Sequence, residues 1–152
     1  MATTLGLVRH GRAAGHGPDA PLLAEGAAYV TRLGRRLARE GWKPAAAASS
    51  PYLRARDTAR ILLGELASDL VPHRLPELTP DTDPGRALDG LLVIAPAAGR
   101  LLVVAHMPLL GRLAAELGCE PMDFYPGTFV EIELAPGGRQ GRLLRRIGPE
   151  DL

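Results

Sequence analysis

Two histidines and several arginines stand where apolar, β-prone runs give out. LGLV leads into Arg9-His10-Gly11, AAAASS into PYLRAR with Arg54 and Arg56, and LLVVA into His106-Met107-Pro108. Neutral imidazole has a free lone pair near pH 7 and can serve as a nucleophile. Guanidinium groups are forked donors that match two oxygens of an oxyanion at once. A phosphoryl group spreads charge over three non-bridging oxygens, and that charge must be held through the transition state. The set therefore points to phosphoryl transfer, in which Arg9 clamps the group that His10 attacks. Arg54 would bind a further oxygen, and His106 would donate to one that remains. Gly11 would let the backbone approach the substrate and leave room for in-line attack. A helix capped by Ser50, with Pro51 in its first turn, would aim amide groups at the same anion.

Each segment also has a plainer reading. Arg-His-Gly occurs by chance, Arg54 and Arg56 could be solvated helix charges, and His106 could be a hydrogen-bonded core residue. Arg56 is taken as solvated, because one helix cannot aim neighbouring turns equally well at one point. The coincidence of three segments, all at strand ends, is what favours a site. His10, His16, His73 and His106 show no HxH or HxxxH spacing, so no metal site is expected, and His16 and His73 are read as surface residues. Neither G-x-x-x-x-G-K-[ST] nor a G-x-G-x-x-G after the first strand is present.

The elements that must position these groups alternate. Strands are expected at 3–10, 45–50, 71–75, 100–106, 128–134 and 142–147. Helices are expected at 22–40, 51–67, 84–98 and 107–117. Apolar residues at helical spacing mark the first helix, and Gly41 supplies its stop. TFVEIEL alternates as a half-exposed strand does, and APGGRQG turns into its antiparallel partner. Such alternation predicts a three-layer α/β sandwich, with a mostly parallel sheet and helices on both faces. Ligands in such folds bind beyond the carboxyl ends of the strands, where the candidate residues fall.

The 152 residues suit one domain, 1–152, with a real core. A formal charge of +1 gives no reason to expect nucleic acid or an acidic membrane as partner. Of the 18 basic residues only Lys43 is lysine, a bias that fits base composition, since Ala, Gly and Pro are abundant too. The single cysteine, Cys119, excludes an internal disulfide, suits a reduced cytoplasmic setting and is read as inert. No secretory leader and no bilayer-spanning run is expected.

Taken together, LVRHGRA, SSPYLRARDTA and VVAHMPLLGRLA resemble the three signature blocks of the histidine phosphatase superfamily, the phosphoglycerate-mutase-like proteins. PLLAEG, LPELTPDTDP and the short length are most similar to its small bacterial phosphohistidine phosphatases, the SixA type. The resemblance implies that His10 becomes transiently phosphorylated, that Arg9, Arg54 and His106 bind phosphoryl oxygens, and that water releases phosphate. It implies no metal and no organic cofactor. The gaps between blocks have no room for the inserted lid of the mutases, so an open cleft is expected. Such a cleft suits phosphohistidine on a partner protein, in signal transduction, better than an enclosed small phosphate ester. A non-catalytic phosphohistidine-binding module is the reading from another class, and a monomer is the default. Relatives use an acid to protonate the leaving group, and Glu77 falls about where that acid would come. Glu77 could equally order its loop, by pairing with Arg74 or capping a turn. Asp19 and Asp81 are weaker candidates, and Arg12 would only add positive potential at the mouth.

Overall fold

A computed structural model describes residues 2–152. Strands β1 (Thr3–Arg9), β2 (Ala46–Ser49), β3 (His73–Arg74), β4 (Gly99–Ala105), β5 (Phe129–Leu134) and β6 (Gly141–Ile147) form a six-stranded sheet of order β3-β2-β4-β1-β5-β6. β3, β2, β4 and β1 run parallel, while β5 and β6 are antiparallel to their neighbours. Helices α1 (Ala24–Arg39) and α2 (Leu53–Glu65) cover one face, and α3 (Pro84–Ile94) and α4 (Leu109–Glu116) the other. This is the expected mixed sandwich.

Side-chain alternation divides the core in two. Leu5, Leu7, Leu101 and Val103 pack with Leu88, Leu91, Leu110 and Leu113 beneath α3 and α4. Val8, Leu102 and Val104 pack with Val30, Leu33, Leu37, Ala59 and Leu62 beneath α1 and α2. Gly6 is needed where it stands, because a Cβ there would meet the Trp42 ring at 2.7 Å.

Several boundaries differ from the sequence expectation, each for a local reason. α3 stops at Ile94 rather than 98, because Pro96 drives Ala95 into extended backbone (φ −63°, ψ 136°). β3 shrinks to two exposed residues on the sheet edge. α2 starts at Leu53, behind Tyr52, so neither Ser50 nor Pro51 opens it. β5 is buried on both faces instead of half-exposed, because Glu131 on its polar face is itself covered. Among the described residues, no helix is long and apolar enough to cross a membrane.

Candidate active site

In-register pairing of the two central strands creates the site. β1 and β4 run parallel with Arg9 opposite Ala105, so the next residues, His10 and His106, leave the sheet side by side. The His10 amide donates to the Ala105 carbonyl at 3.0 Å, which holds the two exits together. The ring centroids lie 5.0 Å apart, with planes inclined at 59°. β2 pairs with β4 on the other side, and the Ser50 amide donates to Val104 O at 3.0 Å. That bond sets Ser50 Oγ 2.7 Å from His106 Nε2. The Tyr52 ring packs edge-on against His106 at 4.9 Å between centroids.

His10 Nδ1 lies 2.7 Å from the Gly11 carbonyl, an acceptor, so Nδ1 carries the proton. Nε2 keeps the lone pair and receives Arg54 Nε–H at 3.3 Å. Arg54 is fixed in turn. Its Nη1 donates to Gly17 O at 2.7 Å and to His16 O at 3.3 Å, and its guanidinium lies over the Tyr52 ring at 5.0 Å. Arg9 Nη1 donates to Phe124 O at 2.8 Å, while its buried Nε has no partner. His106 Nδ1 is likewise buried without a partner.

The electrostatics favour an anion and disfavour extra protons. Burial, opposed by the Gly11 carbonyl and assisted by Arg54 and Arg9, pushes His10 down to about 4. Burial, then His10, Arg54 and Arg9, pushes His106 down to about 3. Both imidazoles are therefore neutral at pH 7. Burial and then Arg54 lower Arg9, and burial lowers Arg54. Both guanidiniums still keep their charge at pH 7.

Arg9, His10, Arg54 and His106 line one open cleft of about 440 Å³, together with Arg12, His16 and Pro80. Two sequence candidates do not join them. Glu77 turns toward α3, where its Oε2 sits 2.9 Å from the position a Gly90 Cβ would take. The 3-10 turn Pro76–Leu78 that carries it packs against α3, which aims the carboxylate away from the cleft. Its alternative pairing with Arg74 is absent among the described ion pairs. Gly11 does not offer its amide to a ligand, because that amide donates to Thr58 Oγ1 at 3.0 Å. A Cβ at Gly11 would meet Val30 and Gly26 of α1 at 3.0 and 3.1 Å, so the glycine serves helix packing instead. No carboxylate lines the cleft among the described residues. Arg56 lines a different depression with its Nε enclosed, so it is neither in the cleft nor freely solvated.

Three residues of the site go beyond the sequence reading. Ser50 is a partner of His106 rather than a helix cap. Tyr52 supports both His106 and Arg54. Thr58 ties the His10 turn to α2, accepting from Gly11 N and donating to Arg54 O at 2.8 Å. The signal in the sequence was position alone, since all three lie in SSPYLRARDTA.

Comparison with known proteins follows the same lines. The family described as the histidine phosphatase superfamily (branch 1) matches residues 5–79. No curated protein sequence matches the chain. Among solved structures, the protein histidine phosphatase SixA complexed with tungstate is similar, with a TM-score of 0.88 and 27% identity over 97% of this chain and 98% of that one. A protein assigned as SixA in Agrobacterium tumefaciens superposes at 0.81, with 19% identity over 98% and 99% of the two chains. The alpha-ribazole phosphatase of Shigella flexneri superposes at 0.70, with 19% identity over 93% and 95%. The last two share the fold.

Proposed function

We propose, on the premise that this chain is a member of the histidine phosphatase superfamily, that it removes phosphoryl groups from phosphohistidine on a protein. One observation carries the reading: His10 Nε2 holds a lone pair beside Arg54, with Nδ1–H tied to the Gly11 carbonyl. Nε2 attacks phosphorus, and the bond from phosphorus to the substrate imidazole breaks. That ring takes the bonding electron pair and leaves neutral, keeping the proton on its other nitrogen. Arg9 and Arg54 hold the transferring oxygens, and His106, with Nε2 satisfied by Ser50, offers Nδ1–H to another. Water then attacks phosphorus, the bond to Nε2 breaks, and inorganic phosphate departs with the water's oxygen and protons. Tungstate is a tetrahedral oxyanion, and its presence in the similar SixA supports a cleft made for such a group.

The leaving group decides the substrate class. An alkoxide must be protonated as its bond to phosphorus breaks, and the cleft lining supplies no carboxylic acid. A protonated phosphoimidazole needs no such help, which favours phosphohistidine over a phosphomonoester. A cytoplasmic setting, a signalling role, a monomeric state and a site that works without metal belong to the same proposal. The test compares kcat/KM on a histidine-phosphorylated protein with kcat/KM on a panel of small phosphate esters. A strong preference for esters overturns the substrate class, and binding without turnover would make the chain a recognition module instead.

A further inference from the structure

The catalytic cleft does not end at its own rim. Arg12 and Pro126 form a shared wall with a second depression, of about 470 Å³, floored by Tyr29 and Tyr125. Tyr125 is 53% exposed, large for an aromatic side chain. Arg32 stands over the Tyr29 ring at 5.7 Å and joins this depression to a third, lined by Arg32, Arg35, Arg36 and Arg39. These four lie at i, i+3, i+4 and i+7 of α1, on the face opposite buried Val30, Leu33 and Leu37.

A solvated helix face ordinarily mixes signs, with acid and base four residues apart. From Arg32 onward this face is basic, and Glu25, seven residues before Arg32, is the acid at its start. Arg36 and Arg39 near the helix end complement the dipole, but Arg32 and Arg35 in its middle do not. Arg35 reaches Glu65 and Arg36 reaches Glu40, and Arg12 lies 3.5 Å from exposed Glu25. Among the described residues, no carboxylate is within ion-pair distance of Arg32 or Arg39. The carboxylate of Asp151, in the same depression, accepts from the Gly148 amide. The chain has a net charge of only +1, so Arg32, Arg35, Arg36 and Arg39 concentrate positive charge along α1, with the exposed Arg12–Glu25 pair between that run and His10.

We propose that this track receives an acidic segment of the protein substrate, next to the phosphohistidine that enters the cleft. The proposal rests on the phosphohistidine reading and adds to it the charge of the flanking sequence. Carboxylates along Arg32 and Arg39 would steer the encounter and set its orientation, while the tyrosine floor takes the apolar stems between them.

Two synthetic histidine-phosphorylated peptides of equal length test this, one flanked by glutamates and one by lysines, with phosphoramidate as the small control. The expected result is roughly a tenfold or greater preference in kcat/KM for the acidic peptide at low salt, fading as salt rises. The double variant Arg32→Glu/Arg39→Glu, at two exposed sites, should lose that preference while phosphoramidate turnover stays unchanged. Equal use of both peptides by the wild type, or a preference that survives in the variant, overturns the track. If the wild type turns over neither peptide nor phosphoramidate, the phosphohistidine reading fails and takes this proposal with it.

Discussion

Two regions of the molecule bury charge, and they do it in opposite ways. At the sheet surface near β5, Glu131 is only 6% exposed, yet it is fully engaged. Trp42 Nε1 donates to it at 2.8 Å, Arg145 Nε at 2.9 Å, and Arg145 Nη1 lies 2.7 Å from Glu40. Burial works against the Arg145 charge, but the hydrogen bonds to Glu40 and Glu131 outweigh it and raise its pKa. In the cleft the arginines and histidines are depressed instead, and Arg9 Nε and His106 Nδ1 have no partner. Arginine thus plays both parts in one chain. Where each charge meets its opposite, the cluster stabilises the fold. Where like charges converge without a counter-ion, the cluster is held ready for an anion.

The sharpest way to separate the two regions is His10→Ala. It should lower turnover by roughly 10⁴-fold or more and end acid-labile phosphate labelling, with the thermal midpoint little changed. Labelling that persists would remove His10 as the nucleophile. Glu131→Ala should do the converse. Leaving Arg145 Nε and the Trp42 indole without their acceptor, while Arg145 Nη1 keeps Glu40, costs about 2 kcal/mol in urea unfolding, and phosphoramidate turnover of the folded fraction is kept. Comparable losses in both quantities would dissolve the contrast.

Acidity probes the same difference more gently. His10 at about 4 and His106 at about 3 lie below the unfolded value of 6.5. Between pH 6.5 and about 4 the unfolded chain therefore binds more protons, and stability falls as pH falls through that window. The pH dependence of unfolding in His10→Ala should be flatter than in wild type there, and an unchanged slope would contradict the buried neutral pair. Glu77→Gln should have the smallest effect, within about twofold in kcat/KM on phosphoramidate, since a catalytic acid contributes 10²–10⁴-fold. A hundredfold loss would return Glu77 to the cleft.

The strand ends were the readable part of the site. Short apolar runs that stop at Arg9-His10 and at His106 reveal both where the sheet is and where its polar edge lies, because burial and chemistry are written in the same residues. Side-chain direction was not readable in the same way. Glu77 sits in the right stretch of chain, but the tight turn it belongs to faces α3. Ser50 reads as a cap by local pattern, and only the β2–β4 pairing, a contact between residues 56 apart, gives it to His106. β5 reads as half-exposed because Glu131 and Glu133 alternate with apolar residues, and long-range partners from β6 and Trp42 are what enclose Glu131. The α3 end reads too long in the sequence although Pro96 announces it, since the apolar run continues past Ala95.

The joint exit of His10 and His106 from β1 and β4 has a kinetic corollary. These strands are some ninety residues apart in sequence and pair only once both central ladders have zipped. No half-assembled form, with its amino-terminal and carboxyl-terminal parts still separate, brings the two rings within 5 Å. Recovery of enzymatic rate after dilution from denaturant is therefore a stopwatch for the last long-range step of refolding, and should lag behind the regain of helical circular dichroism.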